Sequence, residues 1–129
     1  MLIFGHRFID NVNFYHISSI DAIQNTPPSS IIFVEFNEDN LDIIKHCSLN
    51  FITLAIEVKN VTEVIYASSL DASYILVDKN LAKTAQDIAQ NYLFDAKILV
   101  KISTEDEIEE MALLNIDGVL FNNTIIKII

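Results

Sequence analysis

Residues 74–102 read YILVDKNLAKTAQDIAQNYLFDAKILVKI, and the fold class follows from their pattern. The two ends of this stretch, 74–79 and 96–102, are short apolar runs of the kind that form buried strands. Between them, apolar side chains recur at the spacing of one helix face: Leu81, Ala85, Ile88, Ala89 and Tyr92. A strand, a helix and a second strand in this order predict a parallel βαβ unit with a right-handed crossover.

The same unit recurs along the chain with an almost constant period of 21 or 22 residues. Its strand-like runs begin at Ile31, Ile52, Tyr74, Ala96 and Gly118. Amphipathic helices follow the first four runs, one of them opening with a capping box of Thr104 and Glu107. A leucine-rich repeat has a similar period, but its strand pattern fails in most of these units. Strands alternating with full helices are therefore favoured.

Three segments lie outside the repeat. Residues 1–4 and 13–17 are expected to be short strands, which 5–11 could join as a hairpin. A short helix is predicted over 19–25 and ends before two prolines, which cannot continue a helix. The tail, 124–129, is too apolar for a free end, and we expect it to dock on the body of the domain or on a second subunit.

These elements predict one α/β domain over 1–129. The favoured architecture is a mostly parallel sheet of about five to six strands with helices on both faces, as in the flavodoxin-like open sheet. The alternative is a partial (β/α) barrel, or half-barrel. Strand 52–58 favours that alternative, because one of its faces is strongly apolar while the other carries small or polar residues. Both forms remain open at this point.

Composition bounds the surroundings and the partners of the chain. It has 129 residues and a net charge of −10. Nucleic acid and anionic membranes are themselves negative and attract proteins with clustered Lys and Arg. We therefore expect neither as a partner. The lone Cys47 is expected to be a buried apolar residue in a reducing setting. With no signal-like segment and no run of about 20 apolar residues, a cytoplasmic location is expected.

Glycine is scarce, and its scarcity excludes two classes of binding site. Gly5 and Gly118 are the only glycines, so the chain has no Gly-rich dinucleotide turn and no P-loop. We predict no cofactor. Gly118 follows Asp117 at a junction between helix and strand, where we expect a backbone conformation that glycine adopts at low cost.

Charged residues at the ends of the strands are the candidate site. Carboxyl ends of parallel strands meet at one edge, where α/β proteins usually place their chemistry. The catalytic candidates are Glu57, Lys59, Asp78 and Lys101, acting as bases, as oxyanion-binding groups or as amine nucleophiles. Glu35 and Glu57 are the candidates for a hard cation such as Mg²⁺. Lys79 and Lys83 flank the first turn of a helix whose amides could bind a phosphate.

Three segments occur in an order similar to that of the glycerophosphodiester phosphodiesterase barrels: His6-Arg7, the strand AIEVK at 55–59, and IDGVLF at 116–121. In that family, a His-Arg pair begins the site and an I-E-x-K strand supplies a glutamate and a lysine. The resemblance implies that His6 and Arg7 bind or act at a phosphate, that Glu57 holds a divalent metal, and that Lys59 contacts the phosphate. It also implies that 52–121 are consecutive βα units of a barrel.

Two classes of function remain. The favoured one is a non-enzymatic α/β domain that acts through self-association, as a homodimer, or through a protein partner. The alternative is a small ligand-binding or metal-assisted enzyme that handles a phosphorylated or carboxylate metabolite at the carboxyl ends of the strands. Convergence of the strand-end charges around a cavity would favour the alternative.

Overall fold

The computed structural model describes residues 1–9 and 12–128. In this part of the chain there are eight strands and four α-helices. The strands, β1 to β8, are Leu2–Phe4, Phe14–His16, Ile31–Glu35, Leu54–Glu57, Tyr74–Val77, Lys97–Ile102, Gly118–Phe121 and Ile125–Lys127. The helices, α1 to α4, are Leu41–Leu49, Val61–Ser69, Lys79–Asn91 and Asp106–Leu113. Short 3₁₀ turns lie at Asp21–Asn25, Glu38–Asn40 and Asn122–Thr124.

All the strands pair in parallel, in the order β1-β7-β6-β5-β4-β3-β2-β8. The α/β class and the parallel sheet are therefore confirmed. The sheet has more strands than expected, because three short strands from the two ends of the chain join the five of the repeat. The predicted hairpin is wrong, since β1 pairs with β7 whereas β2 pairs with β3 and β8.

The sheet is curled, and aromatic contacts measure the curl. The rings of Phe4 on β1 and Phe14 on β2 lie 5.0 Å apart, centroid to centroid. Six strand spacings separate β1 from β2 in the order of the sheet, which would be about 29 Å in a flat one. The two ends of the sheet are also linked through the chain, because β8 follows β7 after the turn Asn122–Thr124 and pairs with β2. The protein thus takes the half-barrel form.

The curl divides the core into two layers. The inner layer holds residues from every strand: Phe4, Phe14, Ile31, Phe33, Ala55, Leu76, Leu99 and Leu120, with Tyr74 and Ile125 packed against them. The buried apolar residues of all four helices belong to the outer layer, together with alternate strand residues such as Ile56 and Ile98. Burial of each large apolar side chain stabilises the fold by about 1.5–3 kcal/mol. The fold is therefore held by side chains that alternate between the two layers along the strands β3 to β7.

Gly118 is required for space and not for an unusual backbone conformation. Its φ lies outside the left-handed region, which corrects the sequence-based expectation. A Cβ on Gly118 would lie 2.7 Å from Leu99 Cδ2 and 2.8 Å from both Cβ and O of Leu2. The missing side chain lets β1 and β6 approach β7 from either side. Gly5 does use the conformational freedom of glycine, with φ of +91° at the end of β1.

Candidate functional site

The carboxyl ends of the strands form one rim of the half-barrel, which we call the carboxyl rim. Side chains alternate along a strand, so the residue two positions after an inner-layer residue points to the same side. Five charged or titratable residues occupy such positions on β2, β3, β4, β6 and β8: His16, Glu35, Glu57, Lys101 and Lys127. Glu35 and Glu57 are direct neighbours in the register of β3 and β4. Glu35, Glu57 and Lys101 lie at the carboxyl ends of their strands, as the sequence predicted.

Glu57 and Lys101 are the two catalytic candidates that come together. Lys101 Nζ donates a hydrogen bond of 2.9 Å to Glu57 Oε2, across the intervening strand β5. The two side chains are 35 % and 23 % exposed, for lysine and glutamate respectively. Each therefore neutralises the other in a half-buried position, and neither is left as an unpaired base or amine.

The two lysines predicted to bind phosphate pair with carboxylates instead. Lys79 Nζ lies 3.1 Å from Glu110 Oε2 and 3.4 Å from Glu107 Oε2. The contact with Glu110 is the main cause, and the contact with Glu107 the second, of a raised pKa of this lysine. Lys83 forms an exposed pair with Asp87 one turn along α3, at 2.8 Å. The first turn of α3 thus carries its positive charges already matched by acids.

The remaining strand-end candidates act on the helices or stand apart. Asp78 is the N-cap of α3, and its Oδ1 accepts from the N–H of Leu81 at 3.1 Å. The N–H of Lys59 donates to Glu63 at the start of α2, while its exposed side chain makes no bond within the described residues. Glu35 is exposed, and within 1–9 and 12–128 no group of three His, Cys, Asp or Glu side chains could hold a metal ion.

His6 and Arg7 meet at a single carboxylate. His6 Nε2 lies 2.7 Å from Glu105 Oε1, and Arg7 Nη1 lies 3.7 Å from the same oxygen. The hydrogen bond from His6, more than the charge of Arg7, lowers the pKa of Glu105. The backbone N–H of Phe8 donates to His6 Nδ1 at 3.2 Å, so that nitrogen is an acceptor and Nε2 carries the proton. Both ring nitrogens are therefore engaged.

A concave surface of about 490 Å³ lies beside this pair. Its lining comes from the carboxyl ends of β1, β6 and β7: Gly5, His6, Arg7, Ser103, Glu105, Phe121 and Asn123. Glu105 places a negative charge on this surface, which opposes the binding of a phosphate. The structure thus puts His6 and Arg7, two of the four residues that the phosphodiesterase resemblance names, on a concave surface that Glu57 and Lys59 do not line.

Glu107 stabilises the first turn of α4. Its Oε1 accepts from the N–H groups of Ser103 and Thr104, both at 3.0 Å. The bond from Ser103 is the largest of the effects that lower the pKa of Glu107 to about 2. The predicted pairing of Thr104 with Glu107 is confirmed.

This cap predicts a pH-dependent contribution to stability. Because the pKa of Glu107 is lower in the folded chain than the ordinary 4.5, its contribution is complete above 4.5 and is lost as the pH falls towards 2. We expect Glu107→Gln to lower the melting temperature at pH 7, and the gap to the parent to shrink between pH 4.5 and 2. Glu109→Gln, on the exposed side of the same helix, is the control. A gap that stays constant with pH would contradict this role.

Comparison with known proteins supplies no function for this chain. No protein-family model matches the chain, and no curated protein matches it significantly. Within the described residues, no helix is both long enough and apolar enough to cross a membrane. The function must therefore be argued from the side chains themselves.

The opposite rim, formed by the helix ends and the loops that lead into the strands, has a feature that the sequence did not predict. Each of the four helices ends two residues before a residue of positive φ: Phe51, Asp71, Leu93 and Asn115. The residue after each of them donates its backbone N–H to a carbonyl in the last turn of the helix, as Ile52 does to Cys47 O at 2.9 Å. This is the Schellman motif, in which the left-handed position is usually glycine and sometimes asparagine.

Phe51 and Leu93 are unfavourable residues for these positions. Their φ angles are +55° and +54°, a region that bulky side chains rarely adopt. Nor does burial compensate, because the two residues are 97 % and 85 % exposed. Asp71 and Asn115, in the same position of α2 and α4, are of the types that tolerate it best. Two large apolar residues thus occupy strained positions in which their side chains are exposed to solvent.

Three more apolar side chains accompany them. Leu49, Tyr92 and Leu113 stand at the ends of α1, α3 and α4 and are 79 %, 75 % and 77 % exposed. We call the set Leu49, Phe51, Tyr92, Leu93 and Leu113 the apolar rim. Among the described residues, Phe8 is the other large apolar side chain exposed by more than 70 %. Sequence reasoning missed the apolar rim because residue type alone predicts that Phe and Leu are buried.

Proposed function

We propose that this domain is a non-enzymatic association module, and that it binds another protein chain through the apolar rim. The observation that carries the proposal is the pair Phe51 and Leu93, which are strained and exposed at once. Large apolar side chains exposed on one rim of a fold mark a candidate site of protein contact. A cytoplasmic location and a homodimer, both expected from the sequence, belong to the same proposal.

The carboxyl rim supports the non-enzymatic part of the proposal. An enzyme needs a base, a nucleophile or an oxyanion-binding group that is free to meet its substrate. Here Lys101 is paired with Glu57, Lys79 with Glu107 and Glu110, and Asp78 caps a helix. Most of the charged residues at this rim act on the protein's own helices and strands, whereas the side chains of Glu35 and Lys59 remain exposed.

A binding assay on the full chain tests the association. The parent chain and the double variant Phe51→Gly/Leu93→Gly are immobilised and offered the same chain and a cell extract. Glycine accepts positive φ, so the variant should keep the melting temperature of the parent or exceed it. Bound protein that disappears with the two side chains is the expected result. Equal binding by the variant, or no binding by either, would refute the role of the apolar rim.

The concave surface beside His6 and Arg7 supports the second candidate, a small ligand-binding or metal-assisted enzyme in line with the phosphodiesterase resemblance. A ligand that binds the native state raises its melting temperature by mass action. Millimolar inorganic phosphate, glycerol phosphate, Mg²⁺ and Mn²⁺ are the probes. A shift that Arg7→Ala abolishes would favour the enzyme over the association module, whereas the association module predicts no shift.

A further inference from the structure

The two ends of the half-barrel differ sharply in charge. Acidic residues crowd the first turns of the helices, on the side of the carboxyl rim: Glu38, Asp39, Glu63, Asp106, Glu107 and Glu109. They account for much of the net charge of −10. At the opposite end, the described loops between the helices and the strands that follow them carry three acids, Asp71, Asp95 and Asp117. Most of the negative charge therefore lies at one end, and the exposed apolar side chains of the helix ends lie at the other.

We propose that the apolar rim binds a second copy of this chain, with the two half-barrels joined rim to rim and their acidic ends pointing apart. The inference rests on the proposed function and names its partner. Two copies with charges of −10 repel each other, and this arrangement keeps their most acidic surfaces at the greatest separation. A twofold contact buries the same patch on both copies, so an apolar and weakly charged surface is complementary to itself.

The size of the apolar rim fits such a contact. An aromatic side chain buries about 150–250 Å², so five large apolar side chains bury roughly 600–800 Å² per copy. A stable interface buries about 800 Å² per partner. The rim spans four consecutive strands of the sheet, because α1, α3 and α4 lead into β4, β6 and β7, and β5 lies between β4 and β6. A basic partner would instead be attracted to the carboxyl rim.

The mass of the full chain, measured by analytical ultracentrifugation from micromolar to hundred-micromolar concentrations, tests the inference. We expect a monomer–dimer equilibrium in the parent. The variant Phe51→Asn/Leu93→Asn should weaken the dimer at least 100-fold, because it removes two contact residues from each copy. Asparagine already occupies the same backbone position at Asn115, so the variant should fold. Melting curves of this variant and of the glycine variant, Phe51→Gly/Leu93→Gly, show whether a loss of the dimer is caused by unfolding.

Phe8→Asn is the matched control, because Phe8 is 74 % exposed but lies after β1 at the carboxyl rim. It should leave the dimer unchanged. Salt should strengthen the dimer several-fold between 50 and 500 mM, since it screens the repulsion of two acidic chains. A dimer that weakens with salt would count against a contact between the apolar rims.

The outcomes separate this inference from the proposed function. A parent chain that stays monomeric at hundred-micromolar concentration overturns the second copy as the partner. The association module survives that result if the immobilised parent still binds an extract protein that the glycine variant does not bind. A dimer that persists in the folded asparagine and glycine variants overturns the inference too, because its interface then lies elsewhere.

Discussion

Removing residues 125–129 is expected to lower the free energy of unfolding by about 3–5 kcal/mol, a large part of the 5–15 kcal/mol of a typical domain. The tail contains β8, which pairs with β2 along Phe14, Tyr15 and His16. The N–H of Ile128 also donates to the carbonyl of His16 at 3.0 Å. Each lost backbone bond costs about 1 kcal/mol, and the loss of Ile125 from the inner layer costs about 1.5–3 kcal/mol more.

Urea unfolding of the chain 1–124 against the full chain measures this loss. Thr124 stays in the shortened chain because it is buried and bonds to Asn13. Ile125→Ala should reproduce part of the loss, whereas Ile126→Ala, whose side chain is 36 % exposed, should cost less. Equal stability of the long and short chains would mean that β8 adds nothing to the sheet. The sequence predicted a tail docked on the body or on a second subunit, and the pairing with β2 confirms the first of these.

Gly118→Ala is expected to lower the free energy of unfolding by about 2–3 kcal/mol, towards the upper end of the range for an added methyl group in a packed core. The new Cβ would lie 2.8 Å from the backbone oxygen of Leu2, which cannot move without displacing β1. Gly118→Val should unfold the chain or cost still more. Chemical denaturation followed by circular dichroism measures both.

A double-mutant cycle separates crowding from other effects of the new side chain. Leu99 Cδ2 is the closest side-chain atom, at 2.7 Å from the position of the added Cβ. Leu99→Ala alone should cost about 2–5 kcal/mol, since it empties a fully buried site. The double variant should lose less unfolding free energy than the sum of the two single-variant losses, because the removed leucine makes room for the methyl group. Strict additivity would show that the added methyl group is opposed by Leu2 and not by Leu99.

Local pattern predicted the repeating part of the fold well. The apolar runs that begin at Ile31 and Tyr74 contain β3 and β5, and the helix predicted between the runs 74–79 and 96–102 is α3, Lys79–Asn91. These elements are decided by neighbours along the chain. The partners of the terminal strands are not, because β1 pairs with residues 118–120 and β2 pairs with 125–127. The number of strands and the curl could therefore not be predicted from local pattern.

The candidate site shows the same division. That Glu57 and Lys101 face one rim follows from strand alternation, but that they bond to each other depends on the curl across β5. The engagement of His6 with Glu105 joins residues 99 positions apart, beyond the reach of spacing arguments. At the opposite end, the four positive-φ positions repeat with the period of the units. Gly or Asn at every one of them would have predicted these helix ends from the sequence, but Phe51 and Leu93 give no such signal.

The link between β7 and β8 also bears on how the chain folds. β1 has its partner in β7, and β2 gains its second partner from β8, so the first sixteen residues complete their pairing only with the last twelve. Contacts of such long sequence separation must close large loops before they contribute, which slows folding. The central strands β3 to β6 can pair earlier. We therefore expect the sheet of a nascent chain to stay open until residues 118–127 have left the ribosome. The strands at its two ends should then pair in one cooperative step.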